Sequence, residues 1–157
     1  AVVAPTVAAA ALNGRLLSAG PTLDGLPLTS MTLQQIVTGY GASSGIPPSH
    51  SQGVELLYGG TIDWASAADY VVIKESLRQQ MLYGFSSPFG TAPAAGSMAT
   101  THSEVSAAAP GSTQAVPTGK VIWRGQLQQD GVYVAIETTS RTLLIDAARA
   151  LARVEPK

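Results

Sequence analysis

Few residue types in this 157-residue chain could carry chemistry: it has two histidines, ten acids and no cysteine. The densest cluster is GYGASSGIPPSHS (39–51), with a G-x-S-x-G string at Gly41, Ser43 and Gly45, and His50 close behind. A dinucleotide cradle needs G-x-G-x-x-G between a strand and a helix, so that N–H groups and the helix dipole meet the pyrophosphate. Here the sixth position is Ser44, and Pro47-Pro48 follow at once. A Walker loop needs Gly-Lys-Ser/Thr, which is absent. A nucleophile elbow would set Ser43 on a sharp turn from a buried strand into a helix. The preceding TLQQIV reads as helix instead, and prolines come next. A triad of Ser43, Asp63 or Asp69, and His102 can be drawn, but nothing in the sequence around His102 would orient an imidazole. The stretch is predicted to be a Gly/Ser/Pro loop.

The other chemistries are no better assembled. His50 and His102 lie 52 residues apart. His102-Ser103-Glu104 matches the H-x-E fragment of a zinc deaminase without the paired cysteines that complete such a site. Asp63 and Asp69, six apart, do not share a helix face as a glycosidase pair would need, and Asp63 suits an N-cap. Trp64, Trp123, Tyr58, Tyr83 and Tyr133 could form a sugar platform, yet each fits a core or strand-face position. No catalytic, cofactor-binding or metal residue is assigned, and no cofactor is expected.

Composition narrows the partners. Charged residues are 12% of the chain, about half the usual ~25%, and the net charge is −1. Nucleic-acid binding rests on clustered Lys and Arg, and no cluster exists, so nucleic acid is not an expected partner. No apolar run approaches the ~18 residues of a membrane span. Without cysteine there is neither disulfide nor thiolate chemistry. Ala1 in place of a starting Met fits Met trimming, signal-peptide cleavage, or a sequence that simply begins at this position.

The elements that would position these residues predict an α+β fold: a small mixed domain with a C-terminal β-hairpin and helix, plus extended N-terminal and central arms. Residues 1–11 (AVVAPTVAAAA) form an N-terminal arm of small apolar residues. Residues 12–90 form the body. Within it, Ser30 caps a helix to about Val37, VELLY (54–58) is a strand, and Asp63 caps a long helix over 64–82. That helix would align Ala67, Tyr70, Ile73, Leu77 and Met81 on one face, although the β-branched YVVI (70–73) also suits a strand. Residues 91–119 have no aromatic side chain, and Met98, Val105 and Val116 are their only larger apolar residues. They are predicted to be a linker or extended arm. Residues 120–157 give a hairpin, KVIWRGQL and VYVAIET around Asp130-Gly131 in a four-residue loop with a glycine bulge. A terminal helix aligns Leu144, Ala148 and Leu151, although TLLI (142–145) also suits a third strand ended at Asp146.

Stretches so poor in bulky side chains bury too little to offset their ordering entropy, so neighbouring surfaces would have to fix them. From this the sequence predicts a non-enzymatic structural subunit of a large assembly, in a virion as a capsid-associated, connector or tail protein. Its partners would be copies of itself or other subunits. The alternatives are an exported pilus or secretion-apparatus component in the periplasm or outside the cell, a small hydrolase-like enzyme, and a glycan-binding module.

Overall fold

A computed structural model describes residues 2–38, 49–60, 68–77, 97–108, 111 and 113–154. The chain is predominantly β, which corrects the expected α+β domain with extended arms. In chain order the elements are α1 (Pro5–Ala11), β1 (Leu17–Ser18), β2 (Thr22–Leu23), β3 (Leu26–Thr38), β4 (Ser49–Gly59) and β5 (Tyr70–Ser76). They continue with β6 (Met98–Ala108), β7 (Ala115–Gln129), β8 (Val132–Thr138), α2 (Arg141–Ala150) and β9 (Ala152–Arg153). Seven strands make one curled antiparallel sheet in the order β2-β3-β4-β5-β8-β7-β6, while β1 and β9 pair separately.

Two expected helices are strands where they are described. Residues 31–37 fall within β3, launched by the tight turn Asp24-Gly25, where both residues have positive φ (49° and 81°). Such Asp-Gly turns match the twist of the strands they join. Tyr70 to Ser76 form β5, with every residue but Lys74 buried. A strand buried on both faces shows a continuous apolar run, which spacing alone cannot tell from a helix. The β-branched pairs decide it, because Val71, Val72 and Ile73 pack better on a pleated surface than in a helix. The remainder of the expected 64–82 helix lies outside the described residues.

The expected arms are also ordered within the chain. Pro5–Ala11 is a helix with Pro5 at its start and Ala8 fully buried in the core. Alanine has the highest helix propensity, and a proline in the first turn loses no hydrogen bond. In the stretch expected to be a linker, Met98–Ala108 pairs along its length with β7, which itself begins at Ala115. A β-ladder is built from backbone groups, so small Thr and Ser side chains suffice once β7 supplies the apolar face. The β7–β8 hairpin turns on Asp130 and Gly131 alone, both at positive φ, and not on a four-residue loop. Strand β8 then inserts between β7 and β5.

The main core lies on one face of the sheet, where Leu56, Tyr58, Val71, Ile73, Val134 and Ile136 meet Leu12, Leu16, Leu144 and Ala147. Ser140 caps α2, its side chain accepting from the Leu143 amide at 3.1 Å. The helix seats closely because Gly125 lies beneath it: a Cβ there would come within 2.8 Å of Met98 Sδ and 2.9 Å of Leu144 Cδ1. A smaller cluster of Tyr70, Val72 and Ile122 occupies the other face.

Candidate functional site

Among the described residues, those whose types suggested chemistry are not gathered in one place. Gly41, Ser43, Gly45, Asp63 and Trp64 lie outside the described residues. His50 is on β4, paired with Val37. His102 is on β6, and β5, β8 and β7 stand between those two strands. Asp69 is exposed just before β5, where it accepts from Thr139 Oγ1 at 2.7 Å. Among the described residues no group of three His, Asp or Glu could hold a metal ion. Tyr58 and Tyr70 are buried, and Trp123 and Tyr133 are half-buried, so none of the described aromatic residues is an exposed platform for sugar.

Among the described residues the most strongly shifted group is one to which the sequence assigns no chemical role, only a pairing with Arg78 on a helix. Glu75 is fully buried on β5, between Val54 of β4 and Val134 of β8. Its Oε1 accepts the Leu17 amide at 2.7 Å, and its Oε2 has no hydrogen-bond partner. Burial pushes this carboxyl up to about 8, against the pull of the Leu17 amide, so the neutral acid is the form at home in the core. Nearby, the Tyr58 hydroxyl donates to the Gly20 carbonyl at 2.7 Å and accepts the Ala19 amide at 3.1 Å. Burial raises this phenol as well, with Glu75 adding to the shift. Together Glu75 and Tyr58 hold the backbone of residues 17–20 onto the sheet, which gives both a structural use.

On the second face, Glu137 accepts from Arg124 Nε at 3.1 Å and from the Tyr70 hydroxyl at 3.2 Å. Arg124 also reaches Ser103 Oγ at 3.2 Å. Lys74 pairs with Glu55 at 3.8 Å, and Gln34 donates to the same carboxylate. These groups tie neighbouring strands together. A groove of about 490 Å³ between α1, the 18–21 segment and the Ala152–Val154 end is mostly apolar, with Arg153 at its rim.

What remains is the sheet's own margin. Among the described strands β6, of eleven residues, is the last of the sheet, and Thr100, His102, Ser103, Glu104 and Ser106 are exposed along it. His102 stacks on Trp123 with ring centroids 4.6 Å apart. Between the pairs Glu104↔Val121 and Ser106↔Pro117, one residue of β6 faces three of β7, so the irregularity is carried by β7. Gly119, at φ +79°, belongs to that bulge and donates its amide to Glu104 Oε1 at 3.0 Å. Strand β6 itself therefore advances without an inserted residue. It contains no proline and no lysine, the residues with which edges are commonly blunted. The clue in the sequence was MATTHSEVS, rich in the β-formers Thr and Val, which its lack of bulk concealed.

Among the described residues no helix is long and apolar enough to cross a membrane. No protein-family model, curated protein or solved structure matches this chain.

Proposed function

We propose that this chain is a non-enzymatic structural subunit of a larger protein assembly, joined to its neighbours along the edge of β6. The reading rests on one observation: among the described strands β6 is the last of the sheet, eleven residues, about 36 Å long when extended, with polar exposed side chains and neither proline nor lysine. Such an edge accepts another strand through main-chain hydrogen bonds, so affinity comes without a large apolar patch. The need of the 1–11 and 91–119 stretches for foreign surfaces no longer supports the reading, because α1 and β6 find partners within the chain. Of the assembly classes, a virion component is the one to which low charge and abundant small residues are best suited. An exported apparatus component is the alternative.

The test is the state of the protein in its native extract. A 16.1 kDa chain that sediments within a particle many times its mass, and fails to do so after Thr100→Lys on the exposed edge, supports the proposal. A lone compact monomer in the extract overturns it.

A further inference from the structure

We propose that the segment Arg15–Gly20 is a strap released by deprotonation of Glu75, so that the molecule opens locally as pH rises while the seven-stranded sheet stays folded. The inference is independent of the assembly reading. Two side chains of the sheet tie the strap down. The Leu17 amide donates to Glu75 Oε1 at 2.7 Å, and the Tyr58 hydroxyl holds the Ser18 hydroxyl, the Ala19 amide and the Gly20 carbonyl at 2.7 to 3.1 Å. The strap also pairs with β9 over two residues, and the Val154 amide donates to the Leu16 carbonyl at 2.9 Å. It is set between Gly14 and Gly20, both at positive φ (78° and 96°), where the backbone turns most freely.

The carboxyl is the tie that can fail. Glu75 is fully buried and its Oε2 has no hydrogen-bond partner, so an ionised Glu75 would hold its charge in the core against a single N–H donor. An uncompensated buried charge costs far more than an unpaired neutral O–H. Relief requires water, and β5 cannot carry the carboxyl out because β4 and β8 pair with it along both sides. The strap is the element free to move. Among the described residues no cation answers the charge. On β4 the Tyr58 phenol shares its face, while Glu55 pairs with Lys74 on the other; on β8, Glu137 pairs with Arg124 on that other face too. The helix α1 has no titratable side chain. Arg15 lies against the Gly131 turn, Arg153 pairs with Asp130 at 4.0 Å, and on α2 Asp146 faces Asp24 while Arg141 and Arg149 are exposed. A proton is therefore what neutralises the carboxyl. With the strap closed, burial raises the group to about 8, and opening returns it towards 4.5. Closure is fully favoured below about pH 4.5 and weakens as pH rises through 8. Release uncovers Leu16 and Leu17, which the closed form buries completely.

Amide hydrogen exchange of the full chain, corrected for the intrinsic rate at each pH, tests the strap. Protection of the Leu17, Ala19 and Val154 amides should fall about ten-fold per unit between about pH 5.5 and 7.5, as the release of one proton requires. At each pH it should be at least about ten-fold weaker than that of Val72 and Ile136 in β5 and β8, the mark of an opening smaller than global unfolding. In Glu75→Gln, which cannot ionise, strap protection should be flat over the same range. Tyr58→Phe removes the other tie and should lower protection about ten-fold at every pH, with the slope kept. Four results overturn the proposal: strap amides exchanging no faster than those of the sheet, protection independent of pH in the parent, an equal fall in Glu75→Gln, or a slope that vanishes with Tyr58→Phe.

Discussion

At the β3 edge of the sheet the chain folds back over the first half of its own strand, residues 26–32. Strand β2 pairs with the first residues of β3, Val2 bridges to Thr32, and the Val3 amide donates to the Met31 carbonyl at 2.8 Å. At the β6 edge, eleven residues run with no described strand beside them. The closed margin is anchored from behind by α1, whose Ala8 is buried in the core, and by the Glu75 carboxyl under the Leu17 amide. Among the described strands the other margin pairs only with β7. Among the described residues the two margins thus differ in how much of the chain lies against them, and an edge that is neither covered nor charged invites pairing.

The contrast can be broken most severely at the closed margin. Ala8→Asp buries a carboxylate where only apolar atoms surround it, and should cost about 3–5 kcal/mol. Denaturant unfolding would measure the loss, and the freed β3 edge should appear as concentration-dependent aggregation absent from the parent protein.

Glu75 sharpens the same margin through pH. Its folded value is raised to about 8 from an ordinary 4.5, so the native state holds a proton that the unfolded chain releases. The associated stability is fully present below about pH 4.5 and is lost as pH rises towards 8. Glu75→Gln cannot ionise, so between those limits its stability should improve relative to the parent by on the order of a few kcal/mol. Unfolding curves of the two proteins at acidic and alkaline pH test this; parallel curves would remove the buried acid from the account.

The smallest effect belongs to the open margin. Ser106→Ala on exposed β6 should change the stability of the monomer by less than about 0.5 kcal/mol, because the side chain contributes little beyond the backbone ladder. A loss above about 1 kcal/mol would mean that β6 is held more tightly than a free edge.

Where bulky apolar residues alternate with others, the strands were legible from the letters: VELLY within β4, and the β7–β8 pair around Asp130-Gly131. The terminal helix was legible for a similar reason, Leu144 falling on its buried side, while its cap at Ser140 was not anticipated. Strand β5 was misread because burial on both faces erases the alternation on which the reading depends. Strand β6 was missed for the opposite reason, having small residues on both faces and too little hydrophobic contrast. The Asp24-Gly25 turn was a signal present in the letters and overlooked. Glu75 could not have been found, since nothing local distinguishes a core glutamate on a strand from a solvated one on a helix.

The sequence by itself determined the low charge, the absence of thiols, and the turn residues that fold β7 onto β8. Only the tertiary structure decided that a small-residue stretch becomes an edge strand, that an alanine-rich segment closes the other edge, and that one carboxyl sits in the core. The physical reason is that backbone hydrogen bonds between strands distant in sequence leave almost no trace in side-chain pattern. Burial is set by what lies across the sheet, and not by the neighbours along the chain.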